Sequence, residues 1–165
     1  MSRFLKYLKF LSSATNQHGV HSPFVYNYIT KCIYSDKLYK KAKTLDVLLK
    51  SIIYFNYKFI NVVDNALVTD LIHEKIKECQ FDNTVTDLTY VDEISIELIN
   101  TFFSNEKTHN DSMLIINDIY KNEGSINLWQ HLINTELATV TIDFFYCGVV
   151  FKRKEQVKEH FKIRL

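Results

Sequence analysis

Two β-rich runs near the end of the chain, Thr139 to Phe145 and Cys147 to Phe151, have only Tyr146 between them. Parallel neighbours need a crossover of about a dozen residues or more, so this pair has to be an antiparallel hairpin. Upstream, strand-like and helix-like runs alternate three times. Phe59 to Val63, Thr84 to Val91 and Ser112 to Ile116 read as strands, and 67–79, 94–103 and 125–134 read as helices. Ser112 to Ile116 is nearly all apolar, as expected of a strand covered on both faces. Such alternation is the mark of an α/β fold with a parallel sheet, here finished by an antiparallel hairpin.

The residues before Lys58 have helical texture. Phe4, Leu5, Leu8 and Leu11 recur at helical spacing with Arg3, Lys6 and Lys9 turned away. Such a stripe suits a membrane surface or a partner, but the expectation is that it packs on its own domain. Ser22 followed by Pro23 is a helix start, a good N-cap with proline at the first helical position, for a helix running through Tyr34. A further helix is expected from about Lys37 to Phe55, with Leu45, Leu48, Leu49, Ile52 and Ile53 on one side. Without repeats, low-complexity tracts or linkers, the 165 residues read as one domain: a helical segment 1–57 packed on or capping an α/β core of 58–165.

Glycine usage removes many functions. The chain has 3 glycines, Gly19, Gly124 and Gly148, where average usage of about 7% would give about eleven or twelve. None lies near another, so phosphate-cradling loops built on paired glycines and the G-x-S-x-G elbow are excluded. Three widely spaced cysteines, Cys32, Cys79 and Cys147, fit reduced thiols in a cytoplasmic protein better than disulfides or a zinc knuckle. The longest apolar run, Phe144 to Phe151, falls well short of a spanning helix. Lys6 and Lys9 interrupt the N-terminal apolar residues, and a signal peptide is not expected. A formal charge of +1 gives no general pull toward nucleic acid. The locally basic Lys152 to Arg164 reads as a solvated terminal face.

Three acids close the three parallel strands: Asp64, Asp92 and Asp118. The carboxyl ends of strands form the ligand crevice in open α/β sheets, so these acids suit a hard cation or a substrate amine. The competing reading is that each caps the turn that follows. His18 and His21 flank Gly19 and suit an anion or a metal, though capping and packing are the commoner uses of such a pair. His73-Glu74 opens like H-E-x-x-H, but Lys77 ends that match.

The block from Gln17 through His18, Gly19, Val20, His21, Ser22, Pro23 and Phe24 to Val25 resembles the N-terminal signature of a bacterial family of class I S-adenosylmethionine (SAM)-dependent methyltransferase-like proteins. The ending is similar too, with Val140 to Phe145, Gly148, Arg153 to Gln156 and His160-Phe161; Asp87 to Asp92 and His109 to Ile119 look like that family's fourth and fifth strands. The resemblance implies a truncated Rossmann-like fold of about five strands, ordered 1-4-5-7-6 in the family's numbering, with strand 7 antiparallel. About one βαβ unit, holding strands 2 and 3, has no counterpart, and with it goes the acid that would hold the ribose hydroxyls. At the end of the first strand, Asp64 and Val68 stand where the family has glycines, and Val62 where it has an acid. What carries over is Asp92 and Asp118, as catalytic or metal-holding positions, and Asp64 within a degenerate cofactor loop.

The expectation is therefore a methyltransferase-like protein that has lost SAM binding and acts as a non-catalytic interaction or ligand module. The alternative is a small-molecule O-methyltransferase with an atypical cofactor loop, in which a metal on Asp92 and Asp118 orients the acceptor oxygen. No cofactor is expected on the first reading and SAM on the second. Loss of its flanking strands makes Phe59 to Val63 an edge strand, to be covered by the N-terminal helices or by a second copy in a homodimer.

Overall fold

The computed structural model describes residues 1–81, 84–104 and 106–165. Six helices and six strands follow in the order α1 (Arg3–Ser13), α2 (Pro23–Asn27), α3 (Lys43–Phe55), β1 (Ile60–Val63), α4 (Ala66–Lys75), β2 (Thr86–Val91), α5 (Ile96–Phe103), β3 (Thr108–Asn117), α6 (Glu123–Asn134), β4 (Val140–Asp143), β5 (Cys147–Phe151) and β6 (Glu159–Lys162). One sheet holds all the strands, ordered β1-β2-β3-β5-β4-β6. β1, β2 and β3 pair in parallel, β5 is antiparallel to both β3 and β4, and β6 is parallel to β4.

The six-strand order replaces the five-strand order expected from the sequence. The added strand is β6, drawn from the tail that reads as a solvated basic face. Its pairing with β4, Val140 opposite Glu159 through Asp143 opposite Lys162, buries Phe161, and Ile163 just beyond it is buried too. Charge obscured this strand, because the basic residues around it dominate the composition of a segment whose apolar side chains alternate.

Both faces of the sheet are covered. Met113 and Ile115 of β3 face a core built with Tyr28, Leu48, Ile52 and Ile72 from the helices up to α4. Leu114 and Ile116 face the opposite core with Ile99 and Phe102 of α5 and Trp129 and Leu132 of α6. This two-sided burial explains the unbroken apolar run in β3. Gly148 lies under the Trp129 ring, and a Cβ there would come within 2.7 Å of it.

Two helices differ from expectation. Ser22 caps α2 and Pro23 opens it, but the α-helix ends at Asn27 and continues as a π-helical turn over Tyr28–Ile33. α3 starts at Lys43 instead of Lys37. The Asp46 carboxylate accepts the Leu38 and Tyr39 N–H groups at 2.7 and 2.9 Å and the buried Lys50 ammonium at 2.9 Å, which holds the preceding segment as a loop.

α1 packs with a different face from the one its stripe suggests. Tyr7, Phe10, Leu11 and Ala14 meet Phe145, Tyr146 and Tyr120, whereas Phe4, Leu5 and Leu8 are exposed. The expectation that the stripe packs on its own domain is corrected for those three residues. The aromatic patch at the hairpin matches the other side of the helix, and aromatic rings bury more area than the leucines would. β1 is an edge strand, and the outer side of its start pairs with Gln80 in the segment after α4, while Asn61 is exposed. Ile60 N–H donates to the Gln80 carbonyl at 2.8 Å, and Gln80 N–H to Lys58 at 2.7 Å.

Candidate functional site

The parallel strands present their carboxyl ends on one edge, the edge where open α/β sheets take ligands. It carries Asp64 after β1, Asp92 after β2, Asn117 and Asp118 at the end of β3, and Asp143 at the end of β4. Asp143 has no place in the sequence-based set, where it reads as an interior residue of a longer strand.

Asp92 is enclosed by donors. Asn65 Nδ2 donates to its Oδ2 at 2.5 Å, and the Tyr90 hydroxyl and Asn117 Nδ2 donate to its Oδ1 at 2.8 and 3.0 Å. Burial by itself would push this carboxyl up, but the three hydrogen bonds, aided by Lys121, outweigh it and hold the group below the usual carboxylate range. Asn65 has a second task, since its Oδ1 accepts the Val68 N–H and caps α4. One side chain thus starts the helix and ties the end of β1 to the end of β2.

Asp64 is exposed, with a left-handed φ of 52°. A residue without a Cβ would adopt that turn at less cost. Asp118 is also left-handed, at φ 41°. Nη1 of Arg3 donates to both its carboxylate oxygens at 2.7 Å. Asp143 is fully buried, accepting from the Tyr120 hydroxyl at 2.6 Å and from Phe145 N–H at 2.7 Å. Burial raises its carboxyl above the ordinary value despite those two bonds and Lys162, and it raises the Tyr120 hydroxyl as well.

The edge therefore closes on itself. Phe145 sits at the turn of the β4–β5 hairpin with φ 68°, rare for a bulky side chain. Its ring packs on Tyr120 and Tyr7 with centroids 4.9 and 4.8 Å away, and the Arg3 guanidinium lies 5.4 Å from its centre. α1 is the cover over this cluster. What stays open is a cleft of about 340 Å³ between α1 and the start of α3, lined by Arg3, Lys41, Lys43, Thr44, Asp118 and Tyr146.

Comparison with family models, curated proteins and solved structures finds no match to this chain.

The sequence-derived site residues divide accordingly. Asp92 and Asp118 lie on one edge through neighbouring strand ends, yet each is satisfied by its own donors. No group of three or more His, Cys, Asp or Glu side chains suited to a metal ion occurs among the described residues. His18 and His21 are exposed in the segment linking Thr15, which bridges to Ile163, with Ser22, which bonds Gln156. Neither histidine hydrogen-bonds to the strand-end acids among the described residues. Gly19 in that segment packs on Thr15, whose Oγ1 would lie 2.2 Å from an added Cβ. Of the residues that shape the edge, Tyr90 and Asn117 fall inside the strand blocks quoted from the sequence, but none of Arg3, Asn65, Tyr90, Asn117 and Tyr120 stands out there as a site residue. An asparagine just before the apolar-periodic run of α4 is a local N-cap signal that could have found Asn65.

Proposed function

We propose that this chain is a methyltransferase-like protein without catalytic activity, a binding module on a shortened class I scaffold. The observation that carries this reading is the Asn65–Asp92 bond, reinforced by Tyr90 and Asn117. It uses the acid at the end of β2 as an internal fastening. The Arg3 clamp on Asp118 and the Tyr120 bond to Asp143 support the same reading, because acids committed to internal donors are poor general bases and poor metal ligands.

Methyl-transfer assays with SAM and a catechol-like acceptor, with and without magnesium, test it alongside thermal denaturation in the presence of SAM. The reading expects no transfer and no shift of the melting temperature. Turnover that requires the metal and disappears in Asp92→Asn would overturn it in favour of a metal-assisted O-methyltransferase.

A further inference from the structure

We propose that the outward face of α1 is a docking surface for an anionic lipid headgroup layer. Phe4, Leu5 and Leu8 are 67%, 51% and 45% exposed. At about 100° per residue they share one arc of the helix, opposite the face that Phe10 and Ala14 press onto the hairpin. α1 is thus held to the sheet by one apolar face while it presents a second to solvent, a pattern that its own fold does not require.

Charge selects the occupant. α1 carries Arg3, Lys6 and Lys9 and no acid. Arg3 is paired with Asp118, whereas the Lys6 ammonium donates to the neutral Tyr120 carbonyl at 3.1 Å. Lys9 is exposed one turn from Leu5, where a long stem can cover apolar surface and reach a phosphate. Arg164 adds a cation beside the helix, bonded at 2.9 Å to the neutral Leu11 carbonyl, and Lys43 lies 4.3 Å over the Tyr146 ring that packs on Tyr7. An apolar stripe in a basic surround is what a helix in the plane of an anionic interface displays. A second copy is a poorer occupant. A symmetric contact would set these cations against their own images, and a stripe little more than one turn long falls well short of the roughly 800 Å² per partner of a stable interface.

Sedimentation of the whole chain with vesicles tests the proposal, using phosphatidylcholine alone and phosphatidylcholine with about a third phosphatidylglycerol. The expected result is binding to the anionic vesicles, at least about tenfold weaker binding to the neutral ones, and loss of binding as salt rises. Phe4→Glu and Leu8→Glu each remove binding while circular dichroism stays unchanged, since both side chains are exposed. Lys9→Glu weakens it without touching the stripe. Absence of binding to anionic vesicles at low salt overturns the proposal. So does binding that survives Phe4→Glu and Leu8→Glu, or equal binding to both vesicle types. Concentration-dependent dimerisation abolished by Phe4→Glu, without vesicle binding, overturns it as well and assigns the stripe to a second copy.

Discussion

Nη1 of Arg3, in the first turn of α1, lies 2.7 Å from both carboxylate oxygens of Asp118 at the carboxyl end of β3. The bond spans most of the chain and fastens the N-terminal helix over the edge where this architecture takes ligands. Its strength is limited by solvent, because half of the Arg3 side chain is exposed. A double-mutant cycle on Arg3→Ala and Asp118→Ala should return a coupling of about 1 kcal/mol or less. The holding force lies in the rings beneath. Phe145→Ala should cost about 3 kcal/mol and speed amide exchange throughout α1, although it removes a bulky residue from a left-handed turn. A coupling at Arg3 larger than the cost of Phe145→Ala would reverse this ranking.

Asn65 closes the edge by two bonds, so its variants should separate the two roles. Asn65→Ala removes the α4 cap and one donor to Asp92, at a cost of about 2 kcal/mol. Asn65→Asp keeps an acceptor for the cap but sets a carboxylate against Asp92. The deficit of Asn65→Asp relative to wild type should be largest at neutral pH. It should shrink below the usual carboxylate range, as the introduced acid is protonated. Urea denaturation across that range checks the sign.

His160 on β6 is held neutral. Burial lowers its imidazole to about 4 from an ordinary 6.5, aided by Lys162, while Thr141 bonds its Nδ1 at 2.8 Å. A lowered value in the folded state means that the unfolded chain takes up a proton the folded chain refuses. Stability is therefore lost as pH falls from about 6.5 toward 4, by roughly 1–2 kcal/mol between about pH 7 and pH 5. His160→Asn should flatten that part of the profile. Asp143, with its carboxyl raised, works in the opposite sense and is common to both proteins, so their difference reports His160.

The hairpin, the three strand–helix alternations and the Ser22-Pro23 helix start were all legible, because each is a local pattern with a single geometric outcome. β6 was not. Phe161 and Ile163 gain their meaning from Val140 to Asp143 beside them, and a four-residue strand among basic residues leaves little periodicity to read. α1 was legible as a helix but not in its orientation, since apolar residues on two faces leave the choice to the aromatic hairpin more than a hundred residues away. At the edge, Asp64, Asp92 and Asp118 could be placed at strand ends from spacing alone. Most of their partners could not, because Asn65, Asn117 and Arg3 are brought to them by tertiary structure; only Tyr90, two residues before Asp92 on the same strand, is a local partner.

Calorimetric titration of the intact chain with SAM, and separately with its demethylated product, tests most directly whether the ligand edge is closed. An unpaired buried ribose hydroxyl and a crowded turn together would cost roughly 3–5 kcal/mol, enough to turn micromolar affinity into millimolar. The account predicts no binding heat at micromolar protein for either ligand. Stoichiometric binding of SAM at micromolar concentration, weakened by Asp92→Ala, would contradict it.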